Sequence, residues 1–269
     1  MVNGKYYVID SHCHIYPEKI AAAATHGTDT FYGEHSLHKG TVSDLLEQGA
    51  KAGIDRYIVQ SVATAPKQVK SINEFIAHEV KNSVGKLIGL GTMHPDSDDL
   101  KGDLEHLLEC GLHGVKLHPD IQDFKIDDYR CLKIYELCEQ NNVPILMHAG
   151  DSRFDRSNPN RLKPVMDIYS GLTIVAAHLG GWSMWEQACD AISGMKNVYV
   201  DCSSSLSYLK PEVSKRIIET YGIDKVLFGT DYPMWSPKKE VELLLSLGFS
   251  DDDYELMFHK NAEKVFKII

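Results

Sequence analysis

Residues 6–14 have the sequence YYVIDSHCH, an apolar run that ends in two histidines separated by one residue. The run is rich in the aromatic and β-branched residues that favour strands. Residues two apart in an extended chain point to the same side, so His12 and His14 project together while Cys13 points away. This spacing lets two imidazoles reach one metal ion, and it has few structural uses on an apolar strand. The stretch therefore predicts a strand with part of a metal site at its carboxyl end.

Seven more short apolar runs follow, at 56–62, 87–93, 114–118, 144–148, 172–178, 198–202 and 225–231. The segments between them have the apolar spacing of helices, most clearly at 41–52, 68–82, 98–110, 128–141, 183–194, 211–221 and 237–247. Near-continuous hydrophobic strands suit a parallel sheet buried on both faces. The eightfold alternation predicts an α/β fold, a (β/α)8 TIM barrel with a parallel eight-stranded core. An open doubly wound sheet is the alternative fold, which periodicity alone does not exclude.

Two parts of the chain are less regular. The stretch 15–40 shows no clear element, and in a barrel it would lie over the catalytic end. The tail 251–269 has the pattern of one or two closing helices. A length of 269 residues suits one barrel domain over 1–269, although two ordinary domains would also fit.

Composition limits the class of partner. A formal net charge of -10 makes nucleic acid or an anionic membrane a poor partner. No apolar run approaches the roughly 20 residues that span a bilayer. Six scattered cysteines without a C-x-x-C pair favour reduced thiols, and hence a cytoplasmic protein.

Side chains able to bind metal or transfer protons also end four other predicted strands. His118 ends the fourth run, His148 the fifth, His178 the sixth and Asp231 the eighth. A lone histidine at a strand end is more often structural, and an aspartate there commonly caps the next helix. The joint placement is harder to explain in that way, because barrel enzymes build their sites from the carboxyl ends of the strands. The set predicts one catalytic rim.

At these residues the sequence resembles the amidohydrolase superfamily, in the amidohydrolase-related branch that includes aminocarboxymuconate-semialdehyde decarboxylase-like proteins. The matching segments are D-S-H-C-H (10–14), G-V-K-L-H-P (114–119), M-H-A-G-D (147–151), S-N-P-x-R-L (157–162), A-H-L-G-G (177–181) and L-F-G-T-D-Y-P (227–233). They cover nearly the whole chain. The resemblance implies a (β/α)8 barrel with His12, His14, His148 and Asp231 as metal ligands. It makes His178 either a non-ligand or a ligand of a second metal.

Three imidazoles and a carboxylate suit zinc, with manganese as the alternative, and we expect one divalent ion. In two-metal relatives a fourth-strand residue bridges the ions, so Lys116 and His118 keep a two-metal site open. A bound metal makes hydroxide available near neutral pH. Asp231 is then the group that takes the water proton, and His178 hydrogen-bonds or protonates the substrate.

Further residues near the rim indicate a substrate class. Lys116, His118 and Arg153 would bind a carboxylate, since an arginine fork matches its two oxygens. Trp182 and Tyr232 follow metal-site strands and would wall a flat substrate. Solvated loop arginines and core aromatics are the structural alternatives.

The leading interpretation is a metal-dependent hydrolase of a small, carboxylate-bearing amide, ester or lactone. Decarboxylases of the branch often begin with E-x-H, so the H-x-H here favours hydrolysis, although some decarboxylating relatives carry H-x-H. A metal-dependent non-oxidative decarboxylase is the closest rival, and a catalytically silent barrel that serves as a binding protein is a further one. A nucleic-acid-processing barrel fits the acidic charge poorly. The expected partner is a small-molecule substrate, and the resemblance leaves a homodimer open.

Overall fold

The computed structural model describes residue 2 and residues 4–268, and strands alternate with helices along this chain. The strands are β1 (Ile9–His14), β2 (Arg56–Gln60), β3 (Leu87–Gly89), β4 (Gly91–Thr92), β5 (Val115–Leu117), β6 (Ile145–Met147), β7 (Ile174–Ala176), β8 (Val198–Asp201) and β9 (Val226–Leu227). Strands adjacent in the chain pair in parallel, from β1 to β3 and from β4 to β9.

Strands β3 and β4 form one barrel position interrupted at Leu90. The Leu90 amide donates to the carbonyl of Val59 on β2, whereas the Gly91 amide donates to the carbonyl of Gly114, just before β5. The two short strands therefore connect the two parts of one sheet. They bring the number of strand positions to eight, as the sequence predicted.

The sheet closes between its first and last strands. The amide of Ser11 donates to the carbonyl of Phe228 over 2.9 Å, and the amide of His14 donates to the carbonyl of Tyr232 over 2.7 Å. Cys13 also forms a parallel bridge with Tyr232. These contacts join β1 to the end of β9, so the fold is the predicted TIM barrel.

The helices that surround the strands are α1 (Glu18–Tyr32), α2 (Val42–Ala52), α3 (Val69–Asn82), α4 (Leu100–Glu109), α5 (Pro119–Gln122), α6 (Leu132–Gln140), α7 (Leu162–Ile168), α8 (Trp185–Ile192), α9 (Pro211–Tyr221), α10 (Pro237–Ser246), α11 (Asp251–Glu255) and α12 (Asn261–Phe266). A π-helical turn, Leu256–Lys260, joins the last two. Each helix that the sequence predicted is present within a few residues of its expected bounds. Every helix in the described part of the chain is too short or too polar to cross a membrane.

Helix α1 lies in the stretch 15–40, where the sequence showed no clear element. The helical signal was weak because Gly27 and several threonines have low helix propensity. The hydroxyls of Thr25 and Thr28 donate to backbone carbonyls four residues earlier, within the helix. Few large apolar residues mark a buried face, and Ala21 is the buried residue of this helix.

Two apolar clusters hold the barrel together. One lies inside the barrel and includes Ile9, Leu146 and Val175, and it continues onto Val265 and Phe266 of α12. The larger one lies between the strands and the surrounding helices. Helix α12 closes one end of the barrel with apolar side chains, and the polar strand ends lie at the other end.

Candidate metal centre

The carboxyl ends of β1 and β9 are tied together by a buried aspartate. Asp10 Oδ1 accepts hydrogen bonds from the amides of His12 and Thr230, and Asp10 Oδ2 accepts one from the Thr230 hydroxyl. Burial raises the pKa of Asp10 to about 6, although these hydrogen bonds oppose the rise. The contacts fix His12 and the residue that follows Thr230, Asp231, beside each other.

Three donor atoms converge at this point, from side chains that we call the first donor group: His12, His14 and Asp231. His12 Nε2 lies 3.2 Å from His14 Nε2 and 3.4 Å from Asp231 Oδ1, and His14 Nε2 lies 3.6 Å from the same oxygen. Two imidazole nitrogens and a carboxylate oxygen at this spacing fit one divalent cation.

The charge of Asp231 is favoured by its neighbours. Burial alone would raise the pKa of this carboxyl, but the imidazoles of His12, His178 and His14 outweigh burial and hold the pKa well below its usual range. Asp231 Oδ2 also accepts a hydrogen bond from Ser204. The backbone of Asp231 has φ 58°, a left-handed conformation that a non-glycine residue adopts at some energetic cost. The surrounding contacts therefore maintain an ionised carboxylate in a fixed position.

Asp201, at the end of β8, orients His12 from behind. Its Oδ2 lies 2.9 Å from His12 Nδ1, and both side chains are completely buried. A carboxylate oxygen accepts only, so Nδ1 carries the hydrogen and the lone pair of Nε2 points into the first donor group. Such carboxylate–histidine pairs commonly orient metal ligands. The sequence analysis missed Asp201, although it ends a predicted strand as Asp231 does.

The side chain of Lys116, on β5, lies among the donor atoms of this group. Its ammonium is buried, with Nζ 3.0 Å from His12 Nε2. Burial lowers the pKa of Lys116 to about 8, and the carboxylates of Asp231 and Asp201 oppose the drop. The attraction of these two carboxylates for the ammonium is the contribution that a bound cation would also receive here, although burial outweighs it for Lys116.

His178 lies next to the first donor group, with its ring stacked on that of His12 at 5.1 Å between centroids. His178 Nδ1 is 3.2 Å from the Ser203 carbonyl and 3.0 Å from the Ser203 hydroxyl. Because the carbonyl only accepts, Nδ1 carries the hydrogen, and Nε2 faces the imidazole of His148. Burial lowers the pKa of His178 to about 4, although the charge of Asp231 favours the protonated form.

His148, the fourth expected ligand, lies in a second donor group with His118 and Asp120. Its Nδ1 is 3.0 Å from His178 Nε2, toward the first group. Its ring stacks on that of His118, with centroids 4.0 Å apart and planes inclined by 7°. Parallel stacked rings have no common plane in which one ion could meet both, so these two imidazoles are not arranged to share a cation. The role of His148 as a ligand stays a prediction.

Asp120 is the residue that distinguishes the second donor group. Its side chain is fully buried, and one carboxylate oxygen lies 3.7 Å from His148 Nε2. Within the described part of the chain, neither these two oxygens nor His148 Nε2 have a hydrogen-bond partner of normal geometry. Burial raises the pKa of Asp120 to about 6. The sequence analysis missed this residue, which follows the G-V-K-L-H-P segment directly.

A cavity of about 840 Å3 opens above both donor groups. Lys116, His118 and Trp182, which the sequence predicted to meet substrate, line this cavity. Aromatic side chains form much of its wall; they are Tyr16, Phe31, Tyr32, Phe75, Trp182, Tyr208 and Trp235. The hydroxyl of Tyr32 lies 2.7 Å from His118 Nε2. The polar floor and aromatic wall together suit a flat molecule that carries polar atoms at one end.

Two residues expected to bind substrate lie outside the cavity lining. The guanidinium of Arg153 donates to both carboxylate oxygens of Asp151 and to the carbonyl of Phe31, so it supports the end of α1. Tyr232 is completely buried, and its hydroxyl lies 2.8 Å from Asp44 Oδ2. Nearby acidic groups, invisible as partners in the sequence, hold both side chains in the structure, and a role of these two residues in substrate binding stays a prediction.

The sequence matches the family described as amidohydrolase over residues 9–268. No curated protein matches the chain. An uncharacterised TIM-barrel protein from Bordetella bronchiseptica has a TM-score of 0.81 and 21% identity, over 97% of this chain and 98% of that one. A dihydroxybenzoic acid decarboxylase from Polaromonas sp. JS666, with bound manganese and 2-nitroresorcinol, has a TM-score of 0.77 and 16% identity, over 98% and 97%. The 5-carboxyvanillate decarboxylase from Sphingomonas paucimobilis has a TM-score of 0.74 and 16% identity, over 98% and 100%. These structures share the fold of the chain.

Proposed function

The chain belongs to the amidohydrolase family of enzymes, and from that membership we propose that it is a metal-dependent, non-oxidative decarboxylase of a hydroxylated aromatic acid. The observation that carries the proposal is the convergence of His12, His14 and Asp231 on the floor of an aromatic-walled cavity. The decarboxylases among the similar structures support this reaction over the hydrolysis that the sequence favoured. The alternative kept open by the sequence thus becomes the main proposal.

The first donor group would hold one divalent ion, with His148 as the predicted fourth ligand. Nitrogen and carboxylate donors suit both manganese and zinc. The manganese in the Polaromonas enzyme favours manganese for this chain, whereas the sequence favoured zinc. When bound, the ion supplies positive charge that attracts the carboxylate and the neighbouring oxygen of an aromatic acid.

The cavity wall would orient the substrate ring. Trp182 and Trp235 line the cavity with Tyr208 between them, and the Tyr208 ring meets each of them edge-on at 6.4 Å and 5.7 Å. Such an aromatic wall favours a flat ring over a flexible polar chain.

The reaction needs one proton on the ring carbon that carries the carboxylate. A C–H bond forms there, the C–C bond to the carboxylate breaks, its electron pair returns to the ring and carbon dioxide leaves. We assign delivery of the proton to His178, because its ring lies beside the first donor group and Ser203 fixes its orientation through Nδ1. Burial lowers the pKa of His178 to about 4, and the negative charge of Asp231 opposes that fall.

The test combines elemental analysis with product analysis. We expect about one divalent ion per chain in the purified or reconstituted protein, and loss of that ion in the His12→Ala/His14→Ala double variant. With a panel of hydroxybenzoic acids, we expect carbon dioxide and the matching phenol in equal amounts. Hydrolysis of amides or lactones without any release of carbon dioxide would support the hydrolase reading instead. Absence of metal in both proteins after reconstitution would contradict both the decarboxylase and the hydrolase proposals.

A further inference from the structure

The cavity is much larger than one aromatic ring requires. Its volume of about 840 Å3 lies high in the range of roughly 300–1,000 Å3 found for pockets that enclose drug-sized ligands. A single-ring acid bound at the polar floor would leave most of this space to water. The extra space lies between two helices, and its walls can be traced from the spacing of the residues that line it.

One wall is a single face of α1. The residues of this helix that line the cavity are Ile20, Ala23, Ala24, Gly27, Thr28, Phe31 and Tyr32. Their spacing of three and four residues places them on one side of the helix. Most are small, so the helix surface leaves room beside it, and a methyl group added at Gly27 would meet no atom within 4 Å.

The opposite wall is the beginning of α3. Gln68, Ser71, Ile72 and Phe75 line the same cavity, again at spacings of three and four residues. Because one face of each helix lines a common space, that space lies between α1 and α3. We call it the helical annex, bounded by the seven α1 residues above and by these four residues.

Charge fixes which end of a substrate can enter the annex. The described residues of α1 and α3 contribute no charged side chain to the lining. Lys116 is the only lysine or arginine among the described lining residues, and it lies at the floor with the first donor group. Glu34 lines the cavity too and accepts a hydrogen bond from the hydroxyl of Tyr208. A carboxylate is therefore attracted to the floor, and the annex takes an uncharged, apolar group.

We propose that the helical annex is a subsite for an apolar extension of the substrate, of about the size of a second aromatic ring. The substrate class is then an aromatic acid with a phenyl-sized substituent rather than a single-ring hydroxybenzoate. The identity of the acid head group rests on the proposed function, whereas the apolar subsite rests on the cavity itself. Ile20, which is 52% exposed, marks where the annex meets solvent.

The experiment measures binding by calorimetry to the manganese-loaded protein. The probes are 2-hydroxybenzoate and its 4-phenyl and 5-phenyl derivatives. We expect at least one phenyl derivative to bind at least tenfold more tightly than the parent acid, which corresponds to about 1.4 kcal/mol. Carbon dioxide release is followed in the same samples.

Three variants of α1 locate the effect. Ala24→Leu puts a larger side chain into the annex, and Ala23→Leu is a second obstruction at a more exposed position. Ala22→Leu is the matched control, because Ala22 is exposed and does not line the cavity. We expect both obstructions to abolish the phenyl advantage while the parent acid binds as before. The control should retain the wild-type advantage.

The outcomes separate the two proposals. Equal binding of all three acids, no binding of any of them, or an equal loss for parent and phenyl acids in the obstructed variants would overturn the annex as a subsite. A phenyl advantage that Ala24→Leu abolishes, without release of carbon dioxide from any acid, would keep the subsite and overturn the decarboxylase. Release of carbon dioxide with no phenyl advantage would support the decarboxylase and overturn the annex as a subsite.

Discussion

The two donor groups at the rim of the barrel contain similar residues but differ in their support. In the first donor group, Asp201 orients His12, and Ser204 donates to Asp231. In the second, Asp120 is buried within 3.7 Å of His148 without a hydrogen bond of normal geometry among the described residues. A buried polar group left without a partner typically costs about 1–3 kcal/mol. In the first donor group further side chains thus hold both a histidine and the carboxylate, whereas the carboxylate of the second group has no such support among the described residues.

The largest expected difference between the groups is in metal content. His12→Ala should reduce bound metal from about one ion per chain to less than a tenth, because it removes the nitrogen nearest the other two donors. His118→Ala, the matched change in the second group, should leave the metal content unchanged. Elemental analysis of both purified variants measures this. Equal loss of metal from the two variants would break the distinction between the groups.

A second prediction concerns the support of the first donor group. Asp201→Asn should weaken metal binding about 10- to 100-fold, the range found when the partner of a ligating histidine is removed. Competition with a chelator of known affinity measures the change. Asp190→Asn, at an exposed position, is the control and should bind metal as wild type does. Unchanged affinity in Asp201→Asn would mean that the pair with His12 serves only the fold.

The third prediction applies the same measurement to the second donor group. Asp120→Asn should weaken metal binding less than tenfold, because its contact with His148 is 3.7 Å whereas Asp201 lies 2.9 Å from His12. Circular dichroism should show an intact fold. A loss as large as that of Asp201→Asn would assign His148 and Asp120 to the same cation site as the first group.

The last prediction concerns stability rather than metal binding and tests the cost of a poorly partnered buried carboxyl away from both groups. Glu240 on α10 is buried, and one of its oxygens has no hydrogen-bond partner among the described residues. Burial raises the pKa of Glu240 from 4.5 to about 7. The folded state therefore binds the proton more tightly than the unfolded state, so this group's contribution to stability falls as pH rises from about 4.5 to 7.

Glu240→Gln should consequently be more stable than wild type at pH 8, by on the order of 1–3 kcal/mol, with the gain disappearing near pH 4. Urea unfolding at the two pH values measures this difference. Glu242→Gln lies on the same helix at an exposed position and should change stability little at either pH. A gain of the same size at pH 4 would mean that the ionisation of Glu240 is not its cause.

The elements that could be predicted from the sequence differ from the missed helix in how clearly their apolar residues are spaced. Buried parallel strands are continuous apolar runs, so all eight strand positions were predicted from the sequence. Helix α1 was missed because its inner face consists of alanine, glycine and threonine, which leave no strong apolar period. That helix is also the one that borders the helical annex, so the feature hardest to read in the sequence is central to the proposed substrate class.

The same division holds within the site. His12, His14 and Asp231 were predicted together because they end strands that a barrel brings to one rim. Asp201 had the same signal, an aspartate at a strand end, but no neighbouring motif singled it out. The contacts of Arg153 with Asp151 and of Tyr232 with Asp44 were not predicted, since these pairs cannot be recognised from spacing alone.

The barrel, its rim and the family could be predicted from the sequence, because hydrophobic periodicity and strand-end residues are local properties of the chain. The three-dimensional structure was needed to show which donors converge, which acids support them and how far the cavity extends between α1 and α3. Those features depend on distances between side chains far apart in sequence. His12 and Asp201 are separated by 189 positions yet lie 2.9 Å apart, and closure of the barrel brings them together.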